Sequence, residues 1–295
     1  MQTLFLPKGA GAVLYSYQNE GLYFHHSLDE SPSEAQFVMH AHENCELYCF
    51  LRGEGTYFVE GNEYRLSPRC LLLMRPGETH KAQLLPDSPY ERMAIHFPPR
   101  LLSAVDPQEE LLLPFYERQV GRMNLYHPEE YDAPFVLSCL NAMTRPAGEG
   151  DAARRLAVVC NLPPVLLELR RAFAQIHCGE PAGSSRETEP KSRIGSVVEY
   201  INNNLTADLN LTELAAHFFV SKSYLNQQFR QATGTTVWNY ILLKRLMIAR
   251  AAIRDGVSVT DAFARSGFTD YSAFYRRYRD RFGVSPKDDL PKKQG

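Results

Sequence analysis

The sequence predicts an α+β protein of several domains, with a β-barrel towards the amino terminus, accessory helices after it and an all-α domain at the carboxyl end. Two patterns carry this prediction. Residues 10–98 alternate apolar and polar side chains in short runs between turn signals, whereas apolar residues recur at three- and four-residue spacing from 193 to 282. Many short strands favour a barrel or a sandwich over a parallel sheet. The 295 residues are enough for two domains, each with its own core.

The segment between these two regions has a mixed character. Its apolar spacing predicts three amphipathic helices, over residues 101–115, 131–143 and 154–173. Pro163 and Pro164 are expected to break or kink the third helix, because proline lacks the amide proton that a helix interior needs. A polar stretch rich in Pro, Gly and Ser then predicts a linker. The expected division is a barrel over 1–100, a helical region over 101–178, a linker over 179–191 and an all-helical domain over 192–290.

The carboxyl-terminal third contains a repeat with a period near 48 residues. Residues 211–216 align with residues 259–264 at an offset of 48, and Gly234 aligns with Gly283 after a one-residue insertion in the turn. A repeat of this length indicates a duplicated structural unit, and each copy has the pattern of a helix-turn-helix. Two such units could place two helices in successive major-groove windows of double-stranded DNA.

Capping residues mark where the helices of both units begin and end. Asn210 and Ser258 are expected to cap the first helix of each unit, with an acidic residue three positions later. The second helices should begin at Ser221 and at Thr269 or Asp270, and should end at the two aligned glycines. A helix over 238–254 connects the units, with five expected packing positions, Tyr240, Ile241, Leu246, Ala249 and Ile253. Its length of roughly 25 Å suits two helices about one DNA turn (~34 Å) apart.

Charge and cysteine usage agree with a DNA-binding protein of the cytoplasm. Residues 188–295 carry 16 Lys+Arg against 10 Asp+Glu, whereas the first 187 residues carry 16 against 24. A basic third on an acidic chain is typical of a nucleic-acid-binding module. The six cysteines show no CxxC pair and are expected to be reduced. Without a signal peptide or a long apolar run, the chain is predicted to be soluble and cytoplasmic, with no membrane partner.

A group of histidines in the barrel region has the spacing of a known motif. His40, His42, Glu46 and Gly53 resemble the first cupin motif, and residues 77–80 resemble the second, although the usual residue between Pro and Gly is missing. The resemblance implies a cupin-like barrel. Alternation along a strand would place His40 and His42 on one face, and neighbouring strands would bring Glu46 and His80 beside them.

Two occupants of this barrel site remain open. Three histidines and a carboxylate suit a divalent transition metal such as Zn, Fe, Mn or Ni, although no cofactor is certain. The same residues could instead hydrogen-bond a small polar ligand or one another. The candidate ligand-binding residues are His40, His42, Glu46, Tyr48, His80 and His96.

Residues 267–279, followed by 282–286, resemble the signature of the AraC/XylS family of bacterial transcription regulators. The similarity extends over about residues 192–290, with two departures, Val237 at a position where the family often has proline and a tail without the usual aromatic-Arg ending. It implies base contacts by Ser223, Asn226, Gln227, Tyr271, Ser272, Tyr275 and Arg276. Phosphate contacts are assigned to Lys222, Arg230, Arg277 and Arg279. Leu225, Phe229, Phe274 and Tyr278 are assigned to the core.

The favoured function is a sequence-specific, ligand-responsive transcription regulator, with activation favoured over repression. The resemblance implies dimerisation through the helices of residues 101–178 and contact with RNA polymerase. The effector would be a small polar molecule, with a sugar or sugar derivative as one candidate. One alternative is a metal-dependent cupin enzyme with a DNA-binding tail, although no catalytic residues are predicted. A second alternative is a dimeric regulator that needs no effector.

Overall fold

The computed structural model describes residues 12–19, 21–32, 37–85, 88–146, 148, 150–178 and 193–291. The predicted linker over 179–191 lies outside the described residues. In the described part of the chain, the β-region comes first, a helical layer packs on it, and a group of six helices follows. No helix within these ranges combines the length and the apolar character needed to cross a bilayer.

Nine strands of the described chain form two antiparallel sheets. Their bounds are β1 Ala12–Asn19, β2 Leu22–Asp29, β3 Cys45–Arg52, β4 Gly55–Val59, β5 Asn62–Arg65, β6 Leu71–Met74, β7 His80–Leu84, β8 Tyr90–Phe97 and β9 Leu125–Tyr126. The larger sheet has the order β1-β2-β8-β3-β6-β9, and the smaller has the order β5-β4-β7. The register pairs Glu46 of β3 with His96 of β8, which sets two candidate site residues side by side.

The two faces of the larger sheet serve two different cores. On β8, Met93 and Ile95 pack in a core shared with the helical layer. Tyr90 and Ala94, on the opposite face, pack in a second core with Tyr57 of the smaller sheet. This alternation follows from the two-residue period of a strand. Glu46 and His96 lie two residues from Tyr48 and Ala94 on their strands, so they are on the same face of the sheet, which borders the space between the two sheets.

The helical layer consists of α1 Leu113–Tyr116, α2 Ala133–Met143 and α3 Asp151–Cys178. The helix predicted over 101–115 is wrong, because this segment forms two short 3₁₀ turns before α1. The residue before a proline avoids helical geometry, and Asp106 precedes Pro107. The Asp106 carboxylate accepts hydrogen bonds from the backbone amides of Glu110 and Leu111 instead, at 3.0 and 2.7 Å.

Helix α3 continues through Pro163 and Pro164, so of the expected break or kink, the break is wrong. A proline inside a helix costs about 3 kcal/mol. Leu162, Val165 and Leu166 beside the prolines are fully buried in the core shared with the sheet. Burial of such side chains contributes roughly 1.5–3 kcal/mol each, which offsets the missing backbone hydrogen bonds.

The carboxyl-terminal domain contains α4 Arg193–Asn203, α5 Leu211–His217, α6 Lys222–Thr233, α7 Val237–Arg254, α8 Val259–Arg265 and α9 Tyr271–Phe282. The predicted caps are confirmed. Asn210, Ser221, Ser258 and Asp270 accept hydrogen bonds from the first turns of α5, α6, α8 and α9. Gly234 and Gly283 end α6 and α9 with φ of 76° and 71°, a geometry that favours glycine.

Helix α7 belongs to the cores of both helix-turn-helix units. Tyr240 and Ile241 pack in the first core, and Leu246, Ala249 and Ile253 pack in the second. All five predicted packing positions are therefore confirmed. Because one helix lies in both cores, α6 and α9 are held in a fixed relation to each other.

Candidate DNA interface and effector site

Helix α6 directs one face to solvent. Ser223, Gln227 and Arg230 are exposed on this face, and Lys222 is exposed at its start. Asn226 is half-buried, and its Oδ1 accepts a hydrogen bond of 3.4 Å from the Val237 amide at the start of α7. Four of the five predicted contacts on α6 are thus exposed, and Lys222 Nζ also donates a 3.4 Å hydrogen bond to Thr212 Oγ1. Asn226 is partly engaged by α7.

Helix α9 repeats this arrangement one unit later. Tyr271, Ser272 and Arg276 are exposed, whereas Tyr275 is half-buried against the Tyr271 ring at 6.5 Å. The two predicted phosphate ligands of this helix, Arg277 and Arg279, are also exposed.

The assigned core residues on both helices are buried, as predicted: Leu225, Phe229, Phe274 and Tyr278. Tyr224 and Gln231 of α6 are exposed beside the predicted contacts and were not identified from sequence. The signal that could have identified them is the helical period, which places both beside Gln227.

The predicted effector residues of the barrel converge around Glu46. Its Oε2 lies 2.9 Å from Nε2 of His42 and 3.0 Å from Nε2 of His80, and its Oε1 lies 3.6 Å from Nε2 of His96. The His40 ring is 4.3 Å from the His80 ring between centroids. We call His40, His42, Glu46, His80 and His96 the histidine cluster.

The route by which His40 and His42 converge differs from the expected strand face. His40 forms an isolated bridge with His80, and residues 41–44 lie outside the strands. The side chain of Asn44 donates a 2.7 Å hydrogen bond to the Gly21 carbonyl, and the His42 carbonyl accepts from the Gly77 amide at 2.8 Å. These bonds hold the segment in an irregular conformation that still brings the two rings within 6.1 Å.

Backbone carbonyls determine which ring nitrogens face the centre of the cluster. Nδ1 of His40, His42 and His80 lies 2.9, 3.0 and 2.9 Å from the carbonyls of Val38, Asn44 and Glu78. A carbonyl oxygen can only accept, so each Nδ1 carries the proton. In a neutral ring, Nε2 is then an acceptor, so Nε2 of His42 or His80 can lie 2.9–3.0 Å from the anionic Glu46 oxygen only with a second ring proton or a cation between them.

The Nε2 atom of His80 is fully buried and faces the Glu46 carboxylate, with an oxygen 3.0 Å away. The ring cannot move away easily, because a buried ion pair anchors its loop. Arg118 binds both carboxylate oxygens of Glu78, at 2.7 and 2.8 Å, and Glu78 supplies the carbonyl that holds Nδ1 of His80.

The ionisation of the cluster follows from burial and from mutual charge. Burial alone would raise the pKa of Glu46, but His96, His80 and His42 hold it well below its usual range. Burial, together with His80 and His42, lowers the pKa of His40 well below its ordinary value. Burial also lowers the pKa of His96 to about 3. For His80, burial opposes protonation, but Glu46 raises its pKa. At neutral pH the rings of His40 and His96 are therefore neutral and Glu46 is anionic, so these three side chains offer hydrogen-bond acceptors.

Tyr48 lies deeper in the barrel than the cluster. Its hydroxyl bonds that of Tyr90, and its ring is 4.7 Å from Tyr57, whose ring is 6.1 Å from His80. Tyr48 is thus linked to the histidines through Tyr57. These tyrosines fill the space between the sheets. A cleft of about 1630 Å³ lies instead between the barrel and the helical domain, where Pro98 and Met247 line it.

The site residues that sequence reasoning missed lie at the contact between the barrel and the helical domain. Glu60, in the β4–β5 turn, is only 1% exposed, and its carboxylate binds side chains of Asn202, Tyr240 and Lys244. In the sequence this glutamate is one polar residue of a Glu-Gly-Asn turn. No local pattern distinguishes it, because its partners in the helical domain follow more than 140 residues later.

Comparison with known proteins agrees with both halves of the structure. Residues 28–194, more than half of the chain, match the family model of the AraC-like ligand binding domain, and residues 214–290 match that of a helix-turn-helix domain. The transcriptional activator RhaR of Cronobacter sakazakii is 25% identical over 252 residues, which is 85% of this chain and 86% of that protein. The activator RhaS of Escherichia coli O6:H1 is 24% identical over 277 residues, covering 89% and 95%.

Among solved structures, ToxT from Vibrio cholerae O395 is similar over 92% of this chain and 97% of its own, with 10% identity and a TM-score of 0.35. The predicted fold class, a cupin-like sensor followed by a helix-turn-helix domain, is confirmed. The two family matches, in this order along one chain, establish that the protein belongs to the AraC family of transcription regulators.

Proposed function

We propose that this protein is a transcriptional activator that binds double-stranded DNA through α6 and α9 and responds to a small polar effector held by the histidine cluster. One observation carries the DNA-binding part. Ser223 and Gln227 of α6, and Ser272 and Arg276 of α9, are exposed at corresponding positions of two units that share the helix α7. Relatives that match 85–89% of this chain are named transcriptional activators, which supports a regulator over the enzyme alternative.

The exposed side chains suit two kinds of DNA contact, to base edges and to phosphates. Gln227 can pair with adenine, and Arg276 can bind O6 and N7 of guanine. Asn226 and Tyr275 are less exposed and would contact bases from the edge of each helix, while Tyr271 would flank Ser272. Lys222, Arg230, Arg277 and Arg279 would bind phosphates and fix the register.

Footprinting with the full chain tests this DNA-binding function. No feature of the chain gives the operator sequence. The DNA for this experiment is therefore selected by the protein from a random duplex library. Helix α7 has 18 residues and spans about 27 Å, so we expect two protected major-groove windows about one helical turn apart. Absence of protection at low ionic strength would exclude the proposal, because phosphate contacts are strongest there.

The effector site favours a ligand that donates hydrogen bonds. The neutral rings of His40 and His96 and the anionic Glu46 offer acceptors, and a hydroxyl-rich molecule such as a sugar derivative supplies the complementary donors. His40, His42 and His96 surround Glu46, and Tyr48 lies behind them, so these residues together with His80 are our candidate contacts.

A divalent transition metal is the second candidate for the same site. The donor set fits, because Nδ1 of His40, His42 and His80 is tied to a carbonyl, as is common for metal-ligating histidines. The buried Nε2 of His80, which lies 3.0 Å from a Glu46 oxygen, points to the same fit. His40, His42, His80 and Glu46 would hold the ion. A bound ion would supply a Lewis-acidic centre that orients a ligand oxygen.

Metal analysis and thermal shift distinguish the two candidates. Metal-free protein is titrated with Zn²⁺, Mn²⁺ and Ni²⁺ and, separately, with sugars and uronates. His80→Asn should abolish the stabilisation by whichever probe binds, and His127→Asn, outside the cluster, should retain it. Stoichiometric metal in the wild type and none in His80→Asn supports a metal site. Stabilisation by no probe supports a regulator without an effector.

Dimerisation and polymerase contact belong to the same proposal. Phe135 and Leu167 are 44% and 59% exposed on α2 and α3, and with Pro164 and Ala174 they form an apolar patch in the region assigned to dimerisation. A dimer would place two chains on two half-sites beside a promoter, where each can contact RNA polymerase. A protein with this function would act in the cytoplasm, where bacterial DNA lies.

A further inference from the structure

Glu60 holds the helical domain against the barrel. Its carboxylate accepts hydrogen bonds from Asn202 Nδ2 at 2.6 Å, from Lys244 Nζ at 2.9 Å and from the Tyr240 hydroxyl. From the barrel, the Thr79 amide and hydroxyl donate to it at 2.5 and 3.1 Å. A buried carboxylate is costly unless donors surround it. Three of these five donors come from the helical domain, so separation of the domains would leave Glu60 largely unsatisfied.

A second acidic residue holds the far end of α7. Glu43 binds Arg254 Nη1 and lies 3.3 Å from Arg250 Nε, and both arginines also bind Asp289, at 3.0 and 2.6 Å. At the end of α9, Arg281 Nη2 donates to the Ala41 carbonyl at 3.2 Å. The barrel therefore contacts both helix-turn-helix units.

The residues that make these contacts are chain neighbours of the histidine cluster. Ala41 and Glu43 alternate with His40 and His42, and Thr79 directly precedes His80. Gly77 joins the two segments, because its amide donates to the His42 carbonyl at 2.8 Å and its carbonyl accepts from Lys244 Nζ at 2.8 Å. A shift of the histidine rings would therefore displace backbone that holds the helical domain.

We propose that Glu60 and Glu43 form a latch through which the histidine cluster controls the position of the DNA-binding helices. The inference rests on the proposed DNA-binding function and adds its mechanism of regulation. The structure shows the latched arrangement, and an occupant of the cluster biases the equilibrium between this arrangement and a released one. Such coupling requires a differential affinity of the occupant for the two arrangements, and it acts reciprocally on DNA.

A double-mutant cycle on the full chain tests the latch without an identified effector. Glu46→Gln disturbs the centre of the cluster while it conserves shape, and Glu60→Gln disturbs the latch. Glu63→Gln is the matched control, because this substitution removes the same charge from the same hairpin at an exposed position. The readout is the Kd for a duplex selected by the wild type from a random library.

We expect Glu46→Gln to change the Kd by about fivefold or more in the wild-type and Glu63→Gln backgrounds. In the Glu60→Gln background the change should fall below about twofold, the range of independent sites. An equal change in all backgrounds, or no change in the wild type, overturns the latch. If Glu60→Gln does not fold, Glu43→Gln takes its place in the cycle.

Amide hydrogen exchange separates failure of the latch from failure of DNA binding. Glu46→Gln should accelerate exchange in α4 and α7 of the full chain, and a Glu60→Gln chain should show fast exchange there already. This readout needs no DNA. If the wild type selects no duplex and exchange in α7 still responds to Glu46→Gln, the latch stands and the proposed function fails. Amide exchange in α7 that is the same as in the wild type for both variants overturns the latch.

Discussion

At the scale of single residues, the two recognition helices match in position but differ in chemistry. Ser223 and Ser272 correspond, whereas Gln227 corresponds to Arg276 and Asn226 to Tyr275. Glutamine is suited to adenine and arginine to guanine. The two units are therefore expected to read different base pairs, so that one chain recognises an asymmetric site.

Arg276→Ala is the first prediction at this scale. Loss of a bidentate contact to guanine should weaken binding to the selected DNA by about 1–3 kcal/mol and relax the preference at one base pair. The measurement is the Kd on the selected duplex and on its single-base variants. Arg279→Ala provides the comparison, because a phosphate contact should weaken all duplexes alike and make binding less dependent on salt. Equal weakening on every duplex by Arg276→Ala would assign Arg276 to the phosphates.

His25 gives a prediction about pH. Burial lowers its pKa to about 4, and nearby Arg92 acts in the same direction. Because the folded pKa lies below the unfolded value of about 6.5, the unfolded state binds the proton more readily. Stability is therefore retained above pH 6.5 and lost as the pH falls towards 4.

From pH 7 to pH 5 we expect His25 to account for a loss of about 1 kcal/mol in the free energy of unfolding, reduced from the full linkage value because solvent screens part of the ring. His25→Phe keeps a ring beside Tyr23, with which His25 stacks at 5.7 Å. Urea unfolding at both pH values measures the difference. The same loss in wild type and variant would show that another group is responsible.

At the scale of secondary-structure elements, the turn of the second unit demands glycine at position 267. Gly267 has φ of +79°, and a Cβ there would lie 2.5 Å from the Leu205 carbonyl oxygen and 2.9 Å from Thr206 Cα. Both neighbours are backbone and cannot rotate away. This close approach fixes α8 and α9 against the segment that follows α4.

Gly267→Ala should destabilise the helical domain by more than about 3 kcal/mol, since backbone collisions add to the strain of a positive φ. Gly283→Ala is the matched variant, because Gly283 has φ of +71° with open space around it and should cost only about 1 kcal/mol. Fluorescence of Trp238, the single tryptophan, reports unfolding of this domain. Similar losses in both variants would contradict the role of close packing at Gly267.

Elements whose signals lie within a few residues were predictable from the sequence. The caps Asn210 and Asp270 bond amides two or three positions away, so their identity suffices. The segment 101–115 was mispredicted because Pro107 outweighs apolar spacing. The register of β3 and β8 brings Glu46 beside His96. The cupin motif spacing includes Glu46 but not His96, so it predicted only part of the cluster. Glu60 was beyond prediction, since its partners Tyr240 and Lys244 lie 180 and 184 residues later.

At the scale of the whole molecule, opposite charges are distributed between the two domains. The acidic amino-terminal part contributes Glu43 and Glu60 to the contact, and the basic domain contributes Lys244, Arg250 and Arg254. These three cations lie on α7. The barrel pairs with all three, and Asp289 of the helical domain also binds Arg250 and Arg254, whereas Arg276 and Arg279 remain exposed on α9. Apart from Arg281 at the end of α9, the contact uses basic residues outside the recognition helices, so the latched chain can still present its DNA-reading faces.

The apolar patch of α2 and α3 yields a prediction about assembly. Leu167→Glu would place a carboxylate within an interface between two copies, where it would have no partner and would cost several kcal/mol. We expect the wild type to sediment as a dimer at micromolar concentration and Leu167→Glu as a monomer that binds paired half-sites more weakly. Val105→Glu is the control, since Val105 is 67% exposed outside the patch. If Leu167→Glu remained dimeric, the interface would lie on a different surface from the apolar patch of α2 and α3.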